Sequence, residues 1–333
     1  MSTVRTIDRI MSSISICTLF EGHYHYGVAG LVNSLYLHGF EGNFYAGYKG
    51  SIPAWANGNI IESNLDWPGS HSVAVGNKLQ LHFLPLDTHY HLTNYKPDFM
   101  LRLLDSLAKD TTGILYFDPD IVIDAPWFFF KDWIKCGVAL CEDVNSPLTK
   151  NHPTRVAWRS YFSNYGFNLK FKDPIYVNGG FTGVHINNRS FLELWKSLQE
   201  AMAPAIGGLD RSAFQTGLQL PETTRGPFSP FGKTDQDALN ATVEAWSGEF
   251  SLITQEGMGF RNGLTIMPHA LGRLKPWKWN PIKQSLLGKP PRLVDRKYWQ
   301  YSKGPLKAHS EIKLNYKKVS LKIASLISRF IKK

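Results

Sequence analysis

The sequence predicts an α/β fold, a mostly parallel central sheet flanked by helices. Short apolar runs alternate with amphipathic stretches through the first half of the chain, the pattern of strands joined by helical crossovers. One run, Ile114 to Phe117 within GILYFDPDIVIDAP, lies between Gly113 and a proline with no room for a helical turn, so it reads as a buried parallel strand. The 333 residues, 43% of them hydrophobic, suffice for a sizeable core in one large domain or two smaller ones.

In chain order, Ile14 to Phe20 is the first expected strand. Gly27 to His38 is the helix after it, with Gly39 as its stop. The connecting loop, Glu21 to Tyr26, is polar and aromatic. In a doubly wound sheet that loop lies beside a nucleotide, so Tyr24 or Tyr26 either stacks on a base or packs as a surface aromatic on the helix. No G-x-G-x-x-G follows the strand, which leaves out a dinucleotide fingerprint. Asn43 to Tyr48 and Leu79 to Leu84 are further strands, separated by an irregular Gly/Pro/Asn/Trp-rich segment. Pro97 to Ala108 places Phe99, Leu103 and Leu107 at four-residue steps behind a helix-starting proline and leads into the central strand.

Beyond it come an aromatic run, Trp127 to Trp133, and a short strand, Gly137 to Cys141. Tyr176 to Asn187 (YVNGGFTGVHIN) is strand-like, and its glycines imply close backbone approach or a bulge. Ser190 to Met202 is an amphipathic helix with Phe191, Leu194, Trp195 and Leu198 on one side. Pro204 to Gly232 reads as a long loop, a lid or an acceptor-binding segment. Lys233 to Asp237 opens a helix through Trp246, with Thr234 as N-cap and acids suited to the first turn. Leu264 to Met267 is a last short strand before His269.

Asp118 and Asp120 follow the last apolar residue of the central strand, the edge where ligands collect in open α/β sheets. Pro119 stiffens the turn between them. Two hard oxygen ligands there suit Mg²⁺ or Mn²⁺ bridging a diphosphate. A D-x-D arises by chance about once in a chain of this length, but the strand before it and the apolar run Ile121 to Ile123 after it favour a site. His269, with Gly272 and Lys275 at steps of three, supplies a metal ligand and a phosphate cation together, whereas alone it would read as structural. Lys96 and Arg102 are further cations, read as solvated or as phosphate contacts.

The net charge of +10 is unevenly spread. From Lys303 onward there are nine Lys/Arg and one Glu, which leaves 28 basic against 26 acidic residues in 1–302. The body therefore lacks the excess needed to track a nucleic-acid backbone. Ile312, Tyr316, Val319, Ile323, Leu326 and Phe330 recur at steps of four and three with Ile327 beside them, one face of a helix. Lys313, Lys317, Lys318, Lys322, Arg329, Lys332 and Lys333 take the remaining surface or the end. Such a segment fits the headgroup layer of an anionic membrane, or docks on the domain by the same apolar face. The expected organisation is a domain over 1–302 and a basic amphipathic tail over 303–333. Cys17, Cys136 and Cys141 show no metal spacing and no even disulfide set, and Ile14 to Phe20 is too short for a membrane span. A cytoplasmic, peripherally membrane-bound protein is expected.

Asp118-Pro119-Asp120, Asn178-Gly179-Gly180, Asp235-Gln236-Asp237 and His269-x-x-Gly272-x-x-Lys275-Pro276-Trp277 resemble, in order, the motifs of the retaining GT-A-fold glycosyltransferases of family 8. The match runs from the first strand to about Trp277. The resemblance implies that Asp118, Asp120 and His269 hold a divalent cation, usually Mn²⁺ or else Mg²⁺, against the diphosphate of a nucleotide sugar. It also implies that Gly272 and Lys275 contact the phosphates and that Asn178, Gly179 and Gly180 contact the donor sugar. Thr18, Phe20 and Lys96 join the donor-binding set, and Asp235 and Gln236 act at the sugar and the reacting face. The family has an acidic residue and an Asn-Tyr pair after the first strand, where this chain has Glu21-Gly22-His23-Tyr24, so a uridine base rests on family habit. With the membrane-facing tail, the expected acceptor is a glycan or a lipid-linked glycan. Rival readings are a nucleotidyltransferase, which wants a glycine-rich basic loop that Phe20 to Gly27 does not provide, and a catalytically silent sugar-nucleotide or glycan-binding protein.

Overall fold

The computed structural model describes residues 14–57, 60–62, 64–215, 220–224, 226 and 228–331. In chain order its elements are β1 (Ile14–Glu21), α1 (His25–Leu37), β2 (Gly42–Lys49), β3 (Ile61–Glu62), β4 (His71–Val75), β5 (Leu79–Pro85), α2 (Lys96–Leu104), β6 (Gly113–Phe117), α3 (Trp127–Trp133), β7 (Val138–Cys141), α4 (Pro153–Ser163), β8 (Phe181–His185), α5 (Arg189–Ile206), α6 (Asp235–Ala245), β9 (Phe250–Ile253), α7 (Pro281–Leu286), α8 (Leu293–Tyr301) and α9 (Glu311–Phe330). The expected α/β class is the observed one. The chain divides into two compact units.

The first unit comprises Met1–Leu19, Leu86–Tyr116 and Phe130–Gln255. Its strands run in the order β1-β6-β8-β7-β9. β6 lies parallel to β1 with Ile14 opposite Gly113, and all five of its residues are buried, as its unbroken apolar run requires. β7 runs antiparallel to β8 and parallel to β9. Helix α5 packs on both α2 and α6. A core of Trp158, Phe162, Leu198, Met202, Phe231 and Ala238 lies between α4, α5 and α6. The apolar side of α5 reads as expected: Phe191, Trp195 and Leu198 are fully buried.

The second unit comprises Phe20–Pro85, Phe117–Phe129 and Glu256–Lys333. Its strands run β3-β4-β5-β2, antiparallel except for the parallel pair β5 and β2. Its helical core joins Val122, Trp277, Tyr298, Trp299, Leu314 and Leu321. At roughly 1.5–3 kcal/mol for each fully buried large side chain, this cluster firmly anchors the segments on either side of it.

Several expectations need correction. The irregular segment between β2 and β5 contains β3 and β4, and His71 to Val75 alternates too weakly in polarity to announce a strand. The sheet pairing is mixed because β4 and β7 each run against a neighbour. The helix after Pro97 starts one residue earlier and stops at Leu104, where Asp105 and Ala108 N–H close turns on Leu101 and Leu103 carbonyls. The loop Glu21 to Tyr26 is a 3₁₀ turn over Gly22–Tyr24 that runs straight into α1. The start of the long loop, from Pro204 to Ile206, belongs to α5, and a further 3₁₀ turn spans Glu222–Thr224. Residues 216–219, 225 and 227 of that loop, and Lys332 and Lys333, lie outside the described residues. Leu264 to Met267 is not a strand: Leu264 is 79% exposed, and the neighbouring backbone bonds amount to no more than an isolated bridge, of His269 with Ile121.

Candidate metal centre and a buried polar cluster

In the second unit, the segment after β6 is laid antiparallel beside residues 266–270. Ala270 N–H donates to the Asp120 carbonyl (3.1 Å), Val122 N–H to Pro268 O (3.1 Å) and Asp124 N–H to Ile266 O (2.8 Å). This pairing brings His269 to the aspartates across a long separation in sequence. Its Nε2 lies 3.3 Å from Asp120 Oδ1 and 4.0 Å from Asp118 Oδ2. The ligand atoms of Asp118, Asp120 and His269 all fall within 4.8 Å of one another.

Gly272 adopts φ +81°, a left-handed turn that glycine takes without steric cost, and the turn returns the chain so that Lys275 reaches the same place. Lys275 Nζ donates to Asp120 Oδ2 and to Ala270 O (2.8 Å). Burial works to raise the Asp120 carboxyl, but the Lys275 ammonium and then His269 outweigh it and hold it well below the usual carboxylate range. For Lys275, burial favours the neutral amine, yet Asp120 and then Tyr24 leave the net shift upward. Trp277 Nε1 donates to His23 Nδ1 (2.9 Å), Tyr24 stacks on His23 (4.7 Å between centroids), and Lys275 Nζ sits 5.7 Å over the Tyr24 ring. Tyr26 instead stacks on His309 (4.7 Å).

Helix α1 passes close to the Asp-Pro-Asp turn at Gly27, where a Cβ would fall 2.1 Å from Pro119 O and 2.7 Å from the Trp277 ring. Arg292, which the sequence reading missed, clamps the returning loop: its guanidinium donates to Leu271 O and Leu274 O, both 2.8 Å. Asp295 fixes it from behind with bonds of 2.9 Å to Nε and Nη2. The available signal was the Arg-x-x-Asp spacing at the start of α8, where Asp295 at the third helical position accepts from Arg292 N–H (3.1 Å). Beside His269, whose ring lies 6.0 Å from Phe260, residues including Glu256, Arg261 and Leu264 line an open depression of about 790 Å³.

The residues fit a divalent cation. The cluster offers two hard carboxylate oxygens and one borderline imidazole nitrogen, a set that suits Mn²⁺ better than Mg²⁺. His269 turns Nε2 toward both carboxylates, and its Nδ1 is buried with no hydrogen-bond partner among the described residues.

The first unit holds Thr18, Lys96, Asn178, Gly179, Gly180, Asp235 and Gln236. Lys96 is not solvated: it is 2% exposed, and its Nζ donates to Gly179 O (2.7 Å) and Asp235 Oδ2 (3.2 Å). Gln236 Oε1 accepts from Gly179 N–H (3.0 Å). Asn178 Nδ2 donates to Asp143 Oδ2 (2.6 Å) and its Oδ1 accepts from Gly180 N–H (2.8 Å), so the Asn-Gly-Gly turn is tied on both sides. Asp237 accepts from the Tyr176 hydroxyl (2.7 Å) and from Lys233 N–H (2.6 Å). Thr234 occupies the N-cap position of α6 but its side chain makes no capping bond; its φ of +36° is strained for a β-branched residue. Asp237 reaches back past it to Lys233, the residue before the cap position. Asp143, Tyr176 and Lys233 carried no signal in the sequence, because each acquires its role only from its partner.

Thr18 is fully buried in β1. In the second unit Phe20 is buried against Tyr48 (5.8 Å) and Phe83 (6.2 Å). Arg102 is exposed on α2.

No family model and no curated protein matches the chain. Among solved structures, one described as the apo structure of the bifunctional glycosyltransferase WbbM matches at 11% identity with a TM-score of 0.48 over 93% of this chain. The chain spans about half, 52%, of that one.

Proposed function

We propose that the protein is a metal-dependent glycosyltransferase that moves a sugar from a nucleotide diphosphate sugar, of uridine type, to a glycan or lipid-linked acceptor with retention. One observation supports this above the rest: Asp118, Asp120 and His269 converge within 4.8 Å, and Lys275 is bonded to the same aspartate. Asp118, Asp120 and His269 would hold Mn²⁺ or Mg²⁺, which when bound neutralises charge developing on a leaving diphosphate. Lys275 is a second cation for the phosphates, aimed by Asp120 and the Ala270 carbonyl. The Gly272 turn and the Arg292 clamp hold it there.

Asp235 and Gln236 are assigned to the donor sugar and its reacting face. An amide is barely basic, and Gln236 Oε1 is already engaged by Gly179 N–H. It is therefore a poor nucleophile, and same-face displacement assisted by the leaving phosphate is the mechanism assigned. Lys96 neutralises Asp235 and keeps its carboxylate in one orientation. Residues 303–333 are assigned to an anionic membrane surface, and the enzyme to the cytoplasmic side as a peripheral protein.

Incubation with a panel of nucleotide sugars should release nucleoside diphosphate only when a divalent cation is present, and Asp120→Ala should abolish that release while keeping the fold. No release from any donor, or full release by the variant, would overturn the reading.

A further inference from the structure

Helix α9 has two apolar sides, and only one of them is used. At 3.6 residues per turn, Leu314, Lys317, Leu321 and Ala324 share one side, and all are buried where the helix packs on α7 and α8. Lys317 is buried with them rather than solvated. Its Nζ donates to Trp279 O and lies 5.4 Å over the Trp299 ring, and burial, then Lys313, lowers its pKa. The stripe Ile312, Tyr316, Val319, Ile323, Leu326 and Phe330 is on the far side, each residue 42–83% exposed. The apolar face that the sequence displays is thus not the face that docks. The helix is complete without any covering of this stripe: Ser310 Oγ accepts from Lys313 N–H (3.3 Å) at its start.

Lys318, Lys322 and Arg329 border the stripe on one side and Lys313 on the other, by the same helical geometry. The single acid of the helix, Glu311, lies at its first residue, 3.8 Å from Lys307. We propose that this outward stripe inserts into the headgroup layer of an anionic membrane, with Lys318, Lys322 and Arg329 on the lipid headgroups. A contiguous exposed apolar strip flanked by cations matches a helix lying in the interface plane, apolar side down and lysines reaching outward. A second copy of the chain fits less well. Pairing stripe to stripe would bring two sets of these cations together with one acid on each helix to offset them. No helix among the described residues is long and apolar enough to cross a bilayer, so the contact is a surface one.

The inference rests on the membrane-facing assignment of residues 303–333 and names the face that performs it; it does not depend on sugar transfer. Flotation of the full chain with vesicles of phosphatidylcholine and phosphatidylglycerol at low salt, beside pure phosphatidylcholine vesicles, tests it. Anionic vesicles should carry the protein, neutral ones should carry far less, and added salt should weaken the binding. Val319→Glu with Ile323→Glu should cut anionic-vesicle binding by roughly tenfold or more, and Lys318→Gln with Lys322→Gln and Arg329→Gln by a similar factor. Both side-chain sets point away from the docked face, so circular dichroism and thermal midpoint should match the parent. No binding by the parent, binding unchanged in the stripe variant, or a parent that sediments as a dimer which the stripe variant dissolves, would each overturn the proposal. Donor hydrolysis reads the metal centre alone, so failure of one experiment leaves the other standing.

Discussion

Asp237 shows how one buried residue acquires a property absent from its sequence context. Burial, partly offset by the Lys233 N–H and the Tyr176 hydroxyl, raises its pKa from 3.8 to about 7, and the neighbouring Asp235 adds to the rise. Between those two values the folded state holds a proton that the unfolded chain has released. Stability from this group is therefore fully present below about pH 4 and is lost as pH rises toward about 7. A shift of this size corresponds to at most roughly 4 kcal/mol, at ~1.4 kcal/mol per unit. Urea midpoints across that window should fall for the parent and fall less for Asp237→Asn, which keeps the volume and cannot ionise. Equal slopes would show that Asp237 is not the group responsible. Its bonds show what it holds: Asp237 ties Lys233 N–H and the Tyr176 hydroxyl to the first turn of the helix that carries Asp235 and Gln236.

Among the elements, α1 does more than cover a sheet. Gly27 lets it pass so near the Asp-Pro-Asp turn that no Cβ fits between the helix and Pro119 O. The obstruction at 2.1 Å is backbone, which cannot rotate away as a side chain tip can. Gly27→Ala should therefore destabilise by about 1–3 kcal/mol and should also weaken Mn²⁺ binding, because the turn bearing Asp118 and Asp120 must shift. An alanine variant with the parent's melting temperature and metal affinity would show that the contact is slack. The matching constraint on the other side is the Arg292–Asp295 pair, which ties α8 to the loop of Gly272 and Lys275.

At the scale of the whole molecule, metal binding should register as stability. A cation held only by the folded arrangement of Asp118, Asp120 and His269 stabilises it by mass action, ~2.7 kcal/mol at a hundredfold excess over Kd. Mn²⁺ should raise the melting temperature, EDTA should reverse the rise, and Asp120→Ala should show none; a rise of the same size in the variant would place the ion elsewhere. The charge of the chain has its own distribution: +8 of the +10 lies from Lys303 onward. The solvent-facing cations of α9 are part of it, and Lys317 is the one that turns inward to Trp279 O.

The sequence alone determined what depends on local pattern. An unbroken apolar run bounded by Gly113 and Pro119 can only be a short buried strand, and β6 is one. Steps of three and four make α5 and α9 helices, and the two carboxylates after β6 fall at its end because the Asp-Pro-Asp turn interrupts the apolar run there. The His269 motif could be seen, but its meeting with Asp120 depends on the pairing of 120–124 with 266–270, whose expected strand does not exist. Tertiary structure alone decided that Lys96 is a buried partner of Asp235, that Arg292 guards the Lys275 loop, and that α9 docks by Leu314, Leu321 and Ala324. Periodicity reports that a helix has an apolar side; which side is covered depends on the shape of what it packs against, and α7 and α8 take the face of Leu314, Leu321 and Ala324 and leave the other to solvent.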